Sequence, residues 1–523
     1  MTVVGRSTPA VWAGNVYLRH ARAAVAVVAA RAAGAGARRL RLGAGTSLPG
    51  LVARRVDPGI MRHLGAQLRH GSVVVTGTNG KTTTSGLVAY ILRDAGLRVW
   101  RNREGANLVQ GVAAALVIRA QPSGRLRRSG NAAAVFEVDE AAFPSVLAEL
   151  QPRVVVVTNL FRDQLDRYGE VDTVADRWRR ALGHVSAATT LVLNADDPSV
   201  AALGDVAPGP VLYFGVEDLA GAAQAGRAAD GEVIDTRVCP RCGAPLQYAP
   251  RFYSHVGHWA CLRCGYARPA PAVAAHHVAA GLDTSVFHLI TPAGEADVTL
   301  PLPGPYNVYN ALAAAAAGYV AGASVEATRT ALQRFVPAFG RGERIAVDGR
   351  HVRLLLAKNP TGLNEVLRAL VADSPESMGV QRRHFLLLLN DHAADGEDVS
   401  WIWDANFEQM AGLASTLVIG GTRAFDLDLR LKYAGVRLAP DLSSSGGLES
   451  TAESRPADRV DATDAPTRVV IEPRIPQALD AALVSVAPGE TLFVIPTYTA
   501  LLAVRGELER RGFAAHYWET ADA

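Results

Sequence analysis

The chain has 523 residues, too long for a single ~150-residue domain and long enough for two to four. Hydrophobic residues at 49% and charged residues at 20% are globular proportions, which exclude a wholly disordered or fibrous chain. A net charge of +3, from 53 basic and 50 acidic residues, provides no global field for nucleic acid. No nucleic-acid partner is therefore expected, and an anionic ligand needs a local site.

No stretch reaches the ~18–20 uncharged apolar residues of a membrane span. The most apolar N-terminal run, Ala23 to Ala30, is short and has Arg on both sides, the wrong pattern for a secretory signal. A cytoplasmic location is expected. The first 70 residues are rich in Arg and poor in acid, which leaves peripheral contact with the inner membrane surface open. Only three basic residues are Lys: Lys81, Lys358 and Lys432. In a chain that otherwise uses Arg, a retained Lys points to a need for a compact ammonium.

Residues 1–60 read as an N-terminal helical segment. Residues 61–338 read as an α/β domain whose parallel sheet is covered by helices on both faces. Its first strand is Ser72–Thr76, followed by a loop and a helix from Lys81 to about Ala95, closed by Gly96. Further strands are predicted at 134–138, 154–158, 190–194 and 211–214, alternating with helical stretches. The pattern breaks at about 236–270 and resumes at 301–305 with a helix over 310–321. Pro337 to Gly342 reads as a link. Residues 343–523 read as a second α/β domain, with strands at 352–357, 384–390, 416–419 and 491–496 and a helix near 363–372. Residues 440–467 are polar and breaker-rich and read as a surface loop.

Between the first strand and its helix lies Thr76-Gly77-Thr78-Asn79-Gly80-Lys81-Thr82-Thr83. A Gly-rich turn lets backbone N–H groups approach phosphate oxygens, and the helix N-terminus adds positive potential. Lys81 would neutralise β/γ-phosphate charge, and Thr82 would hold Mg2+ through its hydroxyl. Glu137, at a strand end, can supply a second hard oxygen ligand.

This loop resembles the ATP loop of the Mur ligase family, which includes folylpolyglutamate synthases. Glu137 in FEVD, the segment Thr158 to Asp166, the NADDP run Asn194 to Pro198, the PGPYNVYN run Pro303 to Asn310, and Gly340 to Arg344 match further motifs of that family. The resemblance implies ATP-dependent activation of a carboxylate as an acyl phosphate, then attack by an amine. It implies a nucleotide site that adds Asn159, Asn307, Arg341, Lys358 and Asn359 to the loop, and Mg2+ on Thr82 and Glu137. Catalytic roles are expected for Lys81 and Glu137. Two family histidines are replaced, by Gln164 and Tyr306, and no Lys lies between Lys81 and Lys358 to be carbamylated. The acceptor side must therefore differ from that of an amino-acid-adding ligase, although such a ligase remains the alternative.

All four cysteines, Cys239, Cys242, Cys261 and Cys264, fall in C-x2-C-x18-C-x2-C spacing. Two knuckle pairs make the closed thiolate shell of a structural zinc, so a zinc ribbon over 236–270 is expected within the first α/β domain. His255, His258, His276 and His277 lie nearby and read as surface residues. No Cys remains as a nucleophile; ammonia drawn from glutamine would need a different chain to hydrolyse that glutamine.

In the second domain, Ala357 to Gly362 falls at the family's HNP motif, and Asn390 to Asp404 packs acids, two Trp and a His into one loop. With Gly420 to Ala424, Arg430 to Gly435 and Pro496 to Ala500, these segments resemble the ligase subunits of lipid II isoglutaminyl synthases. That resemblance implies amidation of the D-glutamate α-carboxylate of lipid II and a GatD-like glutamine amidotransferase partner. It also implies an Asp lent to the partner's catalytic site, Asp404 being favoured and Asp398 next. Action on lipid II implies work at the inner face of the plasma membrane.

Overall fold

The computed structural model describes residues 9–39, 47–102, 105–127, 129–162, 171–219, 234–336, 341–372, 382–436 and 467–514. Strands β1 (Ser72–Thr76), β2 (Arg98–Arg101), β3 (Ala132–Glu137), β4 (Val154–Val157), β5 (Thr190–Asn194) and β6 (Val211–Val216) begin the larger sheet. After the hairpin β7 (Gln247–Tyr253) and β8 (Val256–Ala260), the sheet continues with β9 (Val273–Ala280), β10 (Ser285–Thr291) and β11 (Gly294–Leu300). The order is β11-β10-β9-β6-β5-β4-β1-β3-β2. From β2 to β9 neighbours run parallel; β10 and β11 are antiparallel.

Both faces of this sheet are covered. Along β1, Val74 enters one core while Val73 and Val75 enter the other, and β3 and β4 alternate in the same way. A strand buried on both sides reads as an unbroken apolar run, which is why SVVVT and VVVV are legible in the sequence. Strands β9 to β11 lie in a stretch where no strand was expected. Their antiparallel arrangement leaves one face to solvent, so buried and exposed residues alternate along β10 and polar residues interrupt the apolar signal.

The second sheet has the order β12-β13-β17-β14-β15-β16, formed by β12 (Arg341–Val347), β13 (Arg350–Leu355), β14 (Arg383–Leu388), β15 (Ala414–Gly420), β16 (Arg468–Ile471) and β17 (Thr491–Pro496). Only β12 is antiparallel to its neighbour. Strands β12 and β16 were not expected; both are edges, β12 with three charged residues among its seven and β16 only four residues long. Arg341 and Gly342, read as part of a link, begin β12, and 337–340 lie outside the described residues. So do 163–170, which carry Asp163, Gln164 and Asp166, and 437–466, which hold nearly all of the loop read at 440–467. Among the described residues no helix is long and apolar enough to cross a membrane.

Candidate functional site

The site forms where β1, β3 and β4 end, the usual position for a ligand crevice in a parallel sheet. The turn after β1 requires glycine twice. Gly77 has φ 137° and Gly80 has φ 84°. A Cβ on Gly77 would stand 2.1 Å from Thr158 Oγ1, and one on Gly80 would stand 2.0 Å from Asn310 Oδ1. The helix Lys81–Asp94 starts directly after Gly80, so its first N–H groups face the crevice.

The segment after β4 braces the turn. Asn159 Oδ1 accepts from Asn79 N at 2.8 Å, and its Nδ2 donates to Asn79 O at 3.1 Å. Thr158 Oγ1 donates to Asn79 O at 2.8 Å, and Thr78 Oγ1 donates to Phe161 O at 3.1 Å. Thr76 uses its hydroxyl on Val138 O at 3.0 Å. Thr76 and Gly77 thus lie behind the loop, while Thr78 to Thr83 and Asn159 line a cavity of about 880 Å3.

Lys81 is nearly buried. Its Nζ donates to Gly77 O at 2.6 Å, to Thr78 O at 3.1 Å, and to both carboxylate oxygens of Glu140 at 3.0 Å. Glu140 is a partner the sequence reading missed; its only signal was a further acid close after Glu137. Glu137, Asp139 and Glu140 line the same cavity as Thr82, so the wall opposite the loop is rich in carboxylate oxygen. Such hard donors fit Mg2+, with Thr82 and Glu137 as the ligands expected from sequence.

The second sheet closes the cavity. Lys358, Asn359, Glu365 and Tyr498 line it, together with Tyr306 and Asn307 from the first domain. Asn307 donates to Pro303 O at 2.7 Å and accepts from Asn310 Nδ2 at 3.0 Å, which sets Asn310 against Gly80 and Thr84. Arg341 begins the neighbouring strand. Lys432, the third retained Lys, does not belong here: itself exposed, it pairs with the buried Asp428 at 2.6 Å one turn back on the same helix, a structural role that Arg could also fill.

Asp404 and Asp398 lie away from this cavity. Asp398 accepts from Ser400 N at 2.8 Å, and its hydrogen bonds to Ser400 hold its carboxyl below the usual range. Asp404 is half-exposed, with Oδ2 3.4 Å from Arg162 Nη1; Arg162 also pairs with Asp235 at 2.8 Å. The turn Ser400–Asp404 is pinned by Arg430, which donates to Ile402 O and Ala405 O. Trp403 beside Asp404 is exposed, as are Phe425, Leu429 and Tyr433, spaced four apart on the helix Ala424–Tyr433.

The four cysteines converge as expected. Cys239 Sγ is 3.6 Å from Cys264 Sγ, and Cys242 Sγ is 3.5 Å from Cys261 Sγ. Tetrahedral zinc with Zn–S of about 2.3 Å needs sulfurs about 3.8 Å apart, so the cluster fits zinc. Trp259 and Tyr266 pack against the cluster, and Arg268 ties it to the sheet through Asp196 at 2.5 Å. His255 is not the surface residue expected. It is fully buried, with Nε2 3.3 Å from Asp197 Oδ2 and its ring against Phe161.

The chain matches known proteins in both sequence and fold. Residues 75–239 match the family model of the Mur ligase middle domain, and residues 356–501 match that of the MurT ligase C-terminal domain. In fold the chain resembles a pseudomurein peptide ligase type C from Methanothermus fervidus, with TM-score 0.58 and 22% identity over 85% of this chain and 79% of that one. It also resembles MurF from Acinetobacter baumannii, with TM-score 0.56 and 17% identity over 87% and 80%. The architecture is that of the Mur ligases. In sequence the chain is 34% identical over 395 residues to the lipid II isoglutaminyl synthase (glutamine-hydrolyzing) subunit MurT of Staphylococcus aureus strain COL, covering 75% of this chain and 84% of that one. It is 33% identical over 419 residues to the subunit of the same name from Streptococcus pneumoniae R6, covering 78% and 86%. The chain belongs to the MurT family of ligase subunits.

Proposed function

We propose that this chain is the ATP-dependent ligase subunit of a lipid II isoglutaminyl synthase. It converts the D-glutamate α-carboxylate of lipid II to the carboxamide through an acyl phosphate, using ammonia made by a GatD-like glutaminase. The observation that carries this reading is the shared cavity: the phosphate loop, the Glu137 to Glu140 carboxylates and the C-terminal Lys358 and Asn359 all face one space.

In this reading the N–H groups at the start of the helix Lys81–Asp94 bind phosphate oxygens, and the Lys81 ammonium offsets charge that develops during transfer. Thr82 and Glu137 hold Mg2+, which supplies neutralisation of phosphate charge. Lys358 enters from the second domain and bears on the same anion. Ammonia is small and needs no amino-acid pocket, which accounts for the lost histidines at Gln164 and Tyr306. With all four cysteines gathered in one cluster, glutamine hydrolysis falls to a second chain. The exposed Trp403, Phe425, Leu429 and Tyr433 beside Asp404 support docking of that chain there, with Asp404 completing its site.

The purified chain would be incubated with ATP, Mg2+, lipid II and labelled ammonium or glutamine, with and without a candidate glutaminase, and the product read by mass spectrometry. A labelled carboxamide is expected, with glutamine use dependent on the second chain. Asp404→Asn should lose the glutamine-driven reaction and keep the ammonium-driven one. ADP release that depends on an added amino acid, with no amide formed, would instead make this an amino-acid-adding ligase.

A further inference from the structure

We propose that the N-terminal helical layer is a docking face for an anionic lipid bilayer. Residues 9–39 and 47–56, which form its described helices, contain seven Arg and neither Asp nor Glu, so this layer is strongly cationic while the rest of the chain is net negative. The helix Pro9–Arg39 buries Ala23, Ala26, Val27 and Ala30 against the body of the protein. Its outer face carries a second apolar stripe: Val25, Val28, Ala32 and Ala35 are all exposed, at spacings of three and four that keep them on one side. Val25 and Val28 are 60% and 51% exposed, well beyond what incomplete burial of an inward residue leaves.

The next helix, Leu48–Val56, extends this surface. Arg22 Nε donates to Val56 O at 2.8 Å, which holds the end of the second helix against the first. On this helix Leu48 and Leu51 are both exposed. Arg31 Nη2 donates to Ile118 O at 3.2 Å, and Ile118 is exposed too. Arg22, Arg39 and Arg55 are exposed around these side chains.

Apolar side chains of this size enter the boundary between headgroups and acyl chains, and the Arg side chains meet lipid phosphates. A nucleic acid would use the charge but not a Val/Leu ridge, which offers bases no aromatic platform. A second copy would bring two acid-free cationic faces together, which repel. The bilayer uses both features. The surface stands apart from the reaction proposed above, because it is formed by helices that do not line the cavity.

The test is partition of the full-length chain onto vesicles of phosphatidylcholine alone and of phosphatidylcholine with phosphatidylglycerol, read by flotation. At least tenfold stronger partition onto the anionic vesicles is expected, falling as salt rises. Arg39→Glu with Arg55→Glu should lower it about thirtyfold or more. Val25→Asp with Val28→Asp should lower it about tenfold while leaving zinc content and thermal unfolding unchanged. Equal partition onto the two vesicle types, or variants that bind like the wild type, would overturn the proposal. So would DNA retention, or a concentration-dependent dimer, that these substitutions abolish in a chain that does not bind vesicles. Amidation is not read, so failure here leaves the assigned reaction untouched.

Discussion

Asn79 in the phosphate loop and Asn359 at the head of the helix Pro360–Ala372 pair their side-chain amides across the two domains. Asn359 Nδ2 donates to Asn79 Oδ1 at 3.0 Å, and Asn79 Nδ2 returns a longer bond to Asn359 Oδ1 at 3.4 Å. Asn359 Oδ1 also accepts from Gly362 N at 2.8 Å, which caps its helix. One buried side chain therefore starts a helix in the second domain and fixes a loop in the first.

These two jobs can be separated. Asn359→Asp keeps the acceptor for Gly362 but turns the donor toward Asn79 into a second acceptor. Its helix cap should persist, with stability lowered only by the buried charge and the lost donor, while its amidation rate falls at least tenfold as the loop loses its contact with the second domain. Asn359→Ala should lose the same activity and also ~1 kcal/mol of stability from the cap. Steady-state kinetics beside thermal unfolding would show the split; full activity in Asn359→Asp would mean that the amide pair is dispensable.

Lys81 and Glu140 form a buried ion pair, so removing either one leaves a charge without its partner. Lys81→Ala should lower amidation by about a thousandfold, the scale for loss of a cation at a transferring phosphoryl group. It should also lower stability, and adding Glu140→Ala should restore part of that stability but none of the activity. Lys81→Arg should not rescue turnover, because a planar fork does not fit where one ammonium meets two loop carbonyls and a carboxylate. Turnover near wild type in Lys81→Ala would exclude the loop from phosphate binding.

The features legible in the sequence were those written locally. The β1 strand, its glycine turn and the helix after it lie in one short run, and each is fixed by residues a few positions apart. The same holds for the two cysteine knuckles, where Gly243 and Gly265 follow the second Cys of each pair with φ 71° and 72°. What stayed hidden depends on long-range pairing. Glu140 gains meaning only when the chain folds it onto Lys81. His255 reads as an ordinary polar residue until Asp197, far back in the sequence, receives it. Strands β9 to β11 were missed because one face of an antiparallel tail is solvated, and its alternation resembles a loop. Lys432 misled in the opposite sense, since scarcity of Lys does not give each Lys a site.

The cysteine cluster should hold one zinc per chain, measurable by metal analysis. Cys261→Ser should lose that metal, because serine offers no thiolate, and the zinc end of the hairpin β7–β8 should loosen because the small cluster of Trp259 and Tyr266 there depends on the closed shell, while Phe252, Tyr253 and Val256 stay anchored in the main core. Proteolysis within 236–270 should then become faster, while the phosphate loop, which lies on the far side of β4, should still bind nucleotide. Stoichiometric zinc retained by Cys261→Ser would place the metal elsewhere.

His255 gives stability a pH dependence of definite sign. Burial disfavours charge on its ring, but the Asp197 carboxylate beside it, with Asp235 farther off, outweighs that cost and raises the ring's pKa above its ordinary value. Asp197 is itself fixed by N–H groups of Leu160, Ser199 and Val200, so it cannot turn away. A raised pKa means that the folded chain binds the proton more tightly than the unfolded one. The stabilisation is therefore complete below the unfolded value of ~6.5 and is lost as pH rises through the higher folded value. His255→Phe removes the charge and keeps a ring against Phe161. Its deficit in unfolding temperature relative to wild type should be greatest in mildly acidic buffer and should shrink above neutrality. A deficit that grows with pH would mean that the ring is neutral in the folded protein.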